Sequence, residues 1–369
     1  FAFGQPFEVS VYRALIVLVI ACPSALVIST PVTMLLGLTR AMWSAILIKG
    51  AIHIEQLSKV KVVAFDKTGT LTKGKLKVTG IAPGDGFSES EVLRLAAVAE
   101  AKSSHPIAVA IVDAAKLRGL LTNGDAQVTD VPGRGIIARS REGMTVLVGK
   151  PAFVRDKGLE QGFTIPENGL NEIGTQIAVA VDGQLAGSIT VTDEIRPDAG
   201  ETIRLLKEQG IEVAMLTGDN EATAKHVAGE LGIGEYYAEL LPEDKVRIAR
   251  ELGKRGAVAM VGDGINDAPV LAASNVGIAV GTAGNDIAID AADVALMGSD
   301  LGAVPYLLRL SRKVMSTLKV NVAIALGLKL VMISAAAFGL IPLWFGVIGD
   351  DGVTLIVIAY ALPLLRYKR

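Results

Sequence analysis

The stretch that decides the fold is Val60–Thr70, VKVVAFDKTGT, a short apolar run that leads directly into Asp66. Two later stretches share this design, because EVAMLTGD occupies Glu212–Asp219 and AVAMVGDG occupies Ala257–Gly264. Apolar runs of this length that alternate with helical patterns are typical of a parallel, doubly wound α/β sheet. Such sheets bind ligands at the carboxyl ends of their strands, so we expect the three acidic loops to meet at one edge.

Other segments between about Ser44 and Leu310 fit the same sheet. They are the strand-like runs Val276–Val280 and Val294–Met297 and the helical patterns Ala199–Gln209 and Ala222–Leu231. An insertion of about 100 residues separates the first two acidic loops, which is enough for an α+β domain of its own. It contains a helical pattern, Glu89–Ala101, and strand-like runs at Gln127–Val131, Thr145–Gly149 and Gln176–Val181. Its Asp182-Gly183 pair suits a hairpin turn.

The two ends of the chain are apolar enough to cross a membrane. The stretch Ala14–Thr39 contains no charged residue and would be about 39 Å long as a helix, more than the roughly 30 Å of a hydrocarbon core. Its Pro23 and Pro31 predict a kink or break. The later segments Val320–Phe338 and Leu343–Leu365 predict two more spans. Buried helices of a soluble protein are the alternative, but such helices seldom run so long without charge.

These patterns predict that the chain divides into a membrane span at 1–43, an α/β domain at 44–80 and 188–313, an inserted α+β domain at 81–187, and two spans at 314–369. The composition agrees with such a mixture, with 51% hydrophobic and 20% charged residues. A net charge of -2 argues against a nucleic-acid partner, which favours a basic face. The single cysteine excludes an intrachain disulfide and a multi-cysteine zinc site.

The acidic loops carry the residue types that phosphoryl transfer needs. An aspartate at a strand end, such as Asp66, can attack a phosphoryl group and hold it as an aspartyl phosphate. Thr217 offers a hydroxyl and Lys245 a cation, while Asp263 and Asp267 offer the hard oxygens that Mg²⁺ prefers. The P-loop signature is absent from the sequence. Thr-Gly-Asp and Gly-Asp-Gly taken singly are ordinary turn sequences, so only their order along the chain is specific.

In combination, Asp66–Thr70 (DKTGT), Thr217–Asp219 (TGD) and Gly262–Pro269 (GDGINDAP) resemble the signatures of P-type ATPases, and the resemblance covers essentially the whole chain. It implies a haloacid-dehalogenase-like phosphorylation domain with an inserted nucleotide-binding domain, flanked by transmembrane helices. It assigns the catalytic residues as follows: Asp66, Lys67, Thr68, Thr217, Gly218, Asp219, Lys245 and Asn266. It also implies that Mg²⁺ is held by Asp66, the Thr68 carbonyl and Asp263, with Asp267 supporting the site.

A phosphatase of the same superfamily is the competing interpretation. Such phosphatases typically carry a second acid two residues after the nucleophile, and here that position is Thr68. Without this acid an acyl phosphate persists, which a transport cycle needs, so Thr68 and the predicted spans favour a pump.

Within the insertion, Ser104-His105-Pro106 resembles the His-Pro pair of the heavy-metal branch of P-type ATPases. Gly133-Arg134-Gly135 resembles its glycine pair, and Glu100 lies where that branch has an acidic residue near the adenine. The resemblance therefore implies an ATP site at Glu100, His105, Pro106, Gly133 and Gly135, where the glycines would let backbone approach the nucleotide. A lone histidine is usually structural, and Gly149-Lys150 departs from the Gly-Asn pair of the family.

In the first span, Cys22-Pro23-Ser24 resembles the Cys-Pro-x element of the heavy-metal branch. A cysteine thiolate is a soft ligand that suits Cu⁺, Zn²⁺ or Cd²⁺, although a packed hydrophobe beside a kink is the ordinary alternative. Lys329 and Asp350 resemble the intramembrane Lys and Asp of the zinc, cadmium and lead exporters. Those exporters usually have Cys-Pro-Cys, and a hydroxyl such as that of Ser24 is the poorer ligand. The predicted transported-ion site is Cys22, Ser24, Lys329 and Asp350.

The resemblance implies ATP-driven export of Zn²⁺, Cd²⁺ or Pb²⁺ by a multi-pass protein of the cell membrane, in contact with lipid and with its soluble domains cytoplasmic. A copper pump, a membrane-anchored phosphatase and an ATP-binding regulatory remnant are the alternatives. The sequence starts at Phe1 and lacks the Thr-Gly-Glu loop of the family's actuator domain. We therefore expect the actuator and the earlier spans to belong to a longer chain, without which this segment binds nucleotide but completes no cycle.

Overall fold

A computed structural model describes residues 6–120, 127–131, 134–139, 143–160, 174–263, 267–281 and 290–369. The chain divides into two compact units. The first consists of Phe1–Phe65, Glu201–Ala214 and Leu241–Arg369, and the second of Asp66–Gly200 and Met215–Leu240.

Helices and strands alternate along most of the chain. The described helices are α1 (Phe7–Ile20), α2 (Ser24–Met42), α3 (Ala51–Ser58), α4 (Glu89–Glu100), α5 (Pro106–Leu117), α6 (Pro151–Glu160), α7 (Ala199–Glu208), α8 (Glu221–Leu231), α9 (Pro242–Leu252), α10 (Ala268–Ala273), α11 (Ala303–Ala337) and α12 (Leu343–Ala361). The described strands are β1 (Ile46–Ile48), β2 (Val60–Asp66), β3 (Thr72–Pro83), β4 (Gln127–Val131), β5 (Gly135–Arg139), β6 (Thr145–Gly149), β7 (Thr175–Val181), β8 (Gln184–Ile195), β9 (Glu212–Leu216), β10 (Glu235–Tyr237), β11 (Ala257–Gly262), β12 (Val276–Val280) and β13 (Val294–Leu296).

The apolar helices belong to the first unit, and three segments are long and apolar enough to cross a membrane: Phe7–Met42, Ala303–Ala337 and Leu343–Arg366. The predicted break in the first segment is confirmed, because α1 ends at Ile20 and α2 begins at Ser24, directly after Pro23. Pro31 lies inside α2 without ending it. A turn separates the last two apolar segments, with Gly339 at a φ of +73°.

In the first unit, the strands of the α/β sheet have the order β1-β13-β12-β11-β2. In the first unit β2, β11, β12 and β13 are parallel to their neighbours, and β1 adds an antiparallel edge. β2 and β11 lie side by side with Phe65 opposite Val261, so the chain leaves both strands at the same edge of the sheet. Because β2 is buried on both faces, its sequence is an uninterrupted apolar run apart from Lys61.

The second unit is built on an antiparallel sheet with the order β3-β8-β7-β6-β5-β4. Helices α4 and α5 cover it, and residues such as Leu93, Ile111 and Ile189 are fully buried in their shared core. The Asp182-Gly183 pair forms the predicted hairpin between β7 and β8, with φ of +44° and +87°. Positive φ at both turn residues matches the twist of the flanking strands. The predicted α+β character of the insertion is confirmed.

Candidate functional site

The loop that follows β2 holds the predicted nucleophile in a buried position. Asp66 and Lys67 expose only 5% and 6% of their surface, although both are charged residue types. Lys67 Nζ donates to Asp219 Oδ2, which forms an ion pair with the second acidic loop. Gly69 has a φ of +74°, a left-handed conformation that favours glycine and lets the loop turn immediately after the nucleophile.

The segment Asp193–Pro197 (DEIRP), at the end of β8, holds this loop in place. Arg196 donates from Nη2 to the Gly69 carbonyl at 2.8 Å and from Nε to the Thr72 carbonyl at 3.1 Å. Its backbone N–H donates to the Leu71 carbonyl at 2.9 Å. The Thr72 hydroxyl lies 2.5 Å from Asp193 Oδ2. Sequence reasoning missed that side chains of this segment position the loop that follows β2.

The Thr217–Asp219 loop is held by its neighbour β10. Thr217 is buried, and its backbone N–H donates to the Tyr237 carbonyl at 3.0 Å. Its hydroxyl accepts from the Asp219 N–H at 3.1 Å, which closes the turn through Gly218. Thr217 and Asp219 thus lie on one short turn, and Asp219 also bonds Lys67, so the structure brings two of the three predicted loops into contact within the second unit.

In the first unit, Lys245 and Asp267 form the other predicted pair. Lys245 Nζ lies 2.8 Å from Asp267 Oδ1, and Asp267 is only 1% exposed. An ideal Cβ on Gly262 would lie 2.6 Å from Asp267 Oδ2, so the carboxylate packs directly against the strand end. Burial raises the pKa of Asp267 above its usual range despite Lys245, and the nearby charge of Asp263 raises it further. Asn266 lies outside the described residues.

This arrangement fits a divalent cation. Asp267 Oδ2 is buried and has no hydrogen-bond partner among the described residues. A buried, unpaired acceptor is costly unless a cation or water satisfies it. Asp263 and Asp267 supply the hard oxygens that Mg²⁺ prefers, so the donor set is compatible with the predicted magnesium.

Three of the five residues predicted for ATP lie in the described part of the second unit around α4 and α5. Glu100 is 7% exposed near the end of α4. His105 caps α5, because its Nδ1 accepts from the Ile107 N–H at 3.3 Å, and Pro106 is the first residue of the helix. Any contact of His105 with a base therefore falls to Nε2 or to the ring face.

The structure describes one of the two glycines predicted to contact the nucleotide. Gly133 lies outside the described residues. Gly135 pairs with Gly149 across β5 and β6, and an ideal Cβ on Gly135 would lie 2.4 Å from the Val148 carbonyl oxygen. An ideal Cβ on Gly149 would lie 2.5 Å from the Arg134 carbonyl oxygen. Close approach of the two strands thus accounts for glycine at positions 135 and 149, and the Gly149-Lys150 pair belongs to the same contact, while the nucleotide contact of Gly135 stays a prediction.

The buried carboxyl group of Glu100 leads to a prediction about how the free energy of unfolding depends on pH. Burial, helped by the charge of Asp130, raises the pKa of Glu100 from 4.5 to about 7. Between these pH values the folded protein keeps a proton that the unfolded chain loses, so the free energy of unfolding falls as the pH rises. We expect Glu100→Gln to remove this fall, which amounts to about 3 kcal/mol. Thermal unfolding of the protein from pH 5 to pH 8 would measure it.

The control is Glu89→Gln, which changes an exposed glutamate at the start of α4. This variant should unfold with the same pH dependence as the unmodified protein. If Glu100→Gln also keeps that dependence, then Glu100 does not titrate in this window.

Of the four residues predicted for the transported ion, the structure brings together the side chains of Ser24, Lys329 and Asp350, whereas Cys22 joins them through its backbone carbonyl and has an exposed side chain. Cys22 lies in the break between α1 and α2, and Ser24 is the first residue of α2. Ser24 Oγ donates to Asp350 Oδ2 on α12, and Lys329 Nζ on α11 lies 2.7 Å from Asp350 Oδ1. Lys329 also donates to the Cys22 carbonyl, which the break leaves outside the helical pattern. We call Cys22, Ser24, Lys329 and Asp350 the intramembrane cluster. A small cavity lined in part by Pro23, Met332 and Asp350 adjoins it.

Comparison with known proteins agrees with the fold. A family of haloacid dehalogenase-like hydrolases matches residues 60–275. A probable cadmium-transporting ATPase of Staphylococcus aureus (strain MRSA252) is 39% identical over 99% of this chain and 52% of its own length. The crystal structure of a zinc-transporting PIB-type ATPase matches 99% of this chain and 59% of that one, with 40% identity and a TM-score of 0.88.

A third match concerns the catalytic part alone. The catalytic domain of the CPx-ATPase CopB-B is 33% identical, with a TM-score of 0.59, and the match covers 74% of this chain and 98% of that domain. The chain thus belongs to the class of haloacid dehalogenase-like hydrolases. Within that class, the chain belongs to the heavy-metal branch of the P-type ATPases. It is a multi-pass membrane protein with soluble domains, and it spans about half the length of the curated relative.

Proposed function

We propose that the protein exports a soft divalent metal ion, Zn²⁺, Cd²⁺ or Pb²⁺, and drives export with ATP through a phosphorylated Asp66. The observation that carries this proposal is the intramembrane cluster, in which Asp350 lies between Ser24 and Lys329 beside the Cys22 backbone. A charged pair at this depth is costly and marks a functional site. A soluble phosphatase has no use for it.

In the chemical step, a carboxylate oxygen of Asp66 attacks the γ-phosphorus of ATP. The bond between the γ-phosphorus and the bridging oxygen breaks, and ADP leaves with the electron pair. Bound Mg²⁺ would neutralise charge on the phosphoryl oxygens, held by Asp66, the Thr68 carbonyl and Asp263, with Asp267 supporting. Lys67, held by Asp219, and Lys245, held by Asp267, supply fixed positive charge. The Thr217 hydroxyl and the Gly218 backbone complete the phosphate contacts.

Persistence of the aspartyl phosphate follows from Thr68. Its side chain cannot act as a general acid or base in hydrolysis, whereas a carboxylate at this position could. Hydrolysis would then wait for a catalytic group outside this chain, which is consistent with an actuator domain in the full-length protein.

At the intramembrane cluster, Cys22 offers a thiolate and Asp350 a carboxylate to the ion. Lys329 competes with the ion for Asp350, because its ammonium group already pairs with one carboxylate oxygen. An arriving cation must displace it, and its return would neutralise Asp350 after release. This exchange of one cation for another keeps the carboxylate paired throughout.

The test uses the full-length protein with γ-labelled ATP and a panel of Zn²⁺, Cd²⁺, Pb²⁺, Co²⁺ and Cu⁺. We expect acid-stable label on the protein and turnover stimulated by the divalent soft ions. Rapid phosphate release without stable label would indicate the phosphatase, and absence of label would indicate a binding remnant. Stimulation by Cu⁺ alone would indicate a copper pump.

Ser24 allows a test of metal selectivity. Ser24→Cys replaces a hydroxyl that bonds Asp350 with a thiolate, a far better ligand for Cd²⁺. We expect the Cd²⁺ concentration for half-maximal ATPase stimulation to fall by about tenfold, with a smaller change for Co²⁺. Ser24→Ala is the matched control, because it removes the same hydroxyl without adding a thiolate. A gain of Cd²⁺ sensitivity in the alanine variant would show that the ligand at this position is irrelevant.

A further inference from the structure

Helix α2 presents a stripe of small, buried residues to the helices that pack against it. They recur at every fourth position and are Ala25, Ser29, Thr33, Gly37 and Ala41. An ideal Cβ on Gly37 would lie 2.7 Å from Val314 Cγ2, so the backbone of α2 approaches α11 closely at this level. Small residues permit such close packing in a membrane, but their short side chains do little to oppose sliding along the helix axis.

A hydrogen bond between side chains crosses this contact. Asn321 Nδ2 on α11 donates to Thr33 Oγ1 on α2 at 3.2 Å, and both residues are fully buried. Asn321 Oδ1, in contrast, has no hydrogen-bond partner in the part of the chain that the structure describes. An unpaired acceptor in an apolar interior costs stability, so overall stability does not account for an asparagine at this position.

The direction of the two helices disfavours a slipped register. Helices α2 and α11 are antiparallel, because Gly37 meets Val314 whereas Thr33 meets Asn321. A slip of one turn that paired Asn321 with Ser29 would bring Val314 against Thr33, whose branched side chain leaves less room than glycine does. A buried polar residue that costs stability can in this way specify one arrangement of packed helices.

The register of α11 decides where Lys329 lies. Lys329 follows Asn321 by eight residues, about 12 Å along the same helix. In the observed register its ammonium group bonds Asp350 and the Cys22 carbonyl. A slip of one turn would move it by about 5.4 Å, which is farther than either bond can stretch.

We propose that Asn321 is a positioning residue for metal transport. By bonding Thr33 it sets the register of α11 against α2 and so holds Lys329 at Asp350, where the ammonium group competes with the ion. The proposed ligands of the ion lie outside α11, so loss of the bond displaces the competing cation rather than the ligands. This inference rests on the proposed function, because it concerns the ion that the intramembrane cluster binds.

Asn321→Leu in the full-length protein tests this role. Leucine has a similar size but cannot bond Thr33, so Lys329 should compete less strongly for the carboxylate and return to it less readily after release. We expect the Cd²⁺ concentration for half-maximal binding, followed by the ultraviolet absorption of the cadmium–thiolate bond, to fall about tenfold, and maximal Cd²⁺-stimulated ATP turnover to fall about tenfold as well. The midpoint of thermal unfolding in detergent should not fall, because the variant removes an unpaired buried oxygen.

Ser29→Ala is the matched control, because it removes a buried hydroxyl one turn away that has no partner among the described residues. It should leave Cd²⁺ binding and turnover unchanged. Thr33→Val removes the acceptor and should repeat the effect of Asn321→Leu, whereas Thr33→Ser, which keeps a hydroxyl, should not. Thr33→Val also takes the place of Asn321→Leu if the latter does not fold.

A double variant shows whether Asn321 acts through Lys329. In a Lys329→Gln background, adding Asn321→Leu should change the Cd²⁺ affinity no further. A Cd²⁺ affinity that is unchanged or weaker in both Asn321→Leu and Thr33→Val, or lower thermal stability as their only effect, would overturn the positioning role. Absence of cadmium–thiolate absorption in the unmodified protein would contradict the proposed function, and this inference with it.

Discussion

Replacement of Asp66 by Asn is expected to abolish acid-stable labelling by γ-labelled ATP and to lower ATP hydrolysis by at least about 10³-fold. An amide has the shape of the carboxylate but is a very poor nucleophile, so the loop is retained while the chemistry is lost. The loop is also held by Arg196, which donates to the Gly69 and Thr72 carbonyls. Binding of ATP should therefore persist.

The matched control for this variant is Asp113→Asn. Asp113 is exposed on α5, where it pairs with Lys116 three residues later. The Asp113→Asn variant should be labelled to the same level as the unmodified protein. Label that survives in Asp66→Asn would place the nucleophile elsewhere, and loss of label in Asp113→Asn would show that the assay reports folding rather than chemistry.

Asp350→Asn is expected to eliminate metal-stimulated ATP turnover. The change removes a ligand charge from the ion and at the same time leaves Lys329 without its ionic partner in the membrane. An unpaired buried cation costs about 3–5 kcal/mol, so reduced stability must be separated from lost ligation. The double variant Lys329→Gln/Asp350→Asn removes both charges and should recover the stability, measured by thermal unfolding in detergent, but not the metal stimulation.

Asp351→Asn is the neighbouring control. Asp351 is exposed, whereas Asp350 receives hydrogen bonds from both Ser24 and Lys329. We expect normal metal stimulation in this variant. If Asp350→Asn were stimulated normally as well, the intramembrane cluster would have no part in binding the ion.

Sequence reasoning predicted most of the fold because the local signals are strong. The strand ending in Asp66 and the Asp182-Gly183 turn follow from patterns of a few residues that tertiary structure does not override. The long N-terminal part of α11, by contrast, was missed. It contains Arg309, Arg312 and Lys313, so hydropathy recognises only the later, apolar half of one continuous helix.

The candidate sites were predictable where motifs mark them and less so where packing decides. The grouping of Ser24, Lys329 and Asp350 follows from a resemblance, but the direct bond between Ser24 and Asp350 depends on how three helices meet. Likewise, Gly135 looked like a nucleotide contact, and only the register of β5 and β6 reveals its packing role. The catalytic roles and the domain limits stay predictions, since they concern chemistry and boundaries that geometry alone does not determine.

The continuity of α11 has a mechanical consequence. Arg312 binds the carbonyl of Val60, the first residue of β2, and Gln209, just after α7, binds the carbonyl of Pro305 near the start of α11. Lys329 follows on the same uninterrupted helix, about 26 Å beyond Arg312. If α11 moves as a rigid body, a displacement of β2 would therefore also displace the ammonium group of Lys329, which pairs with Asp350.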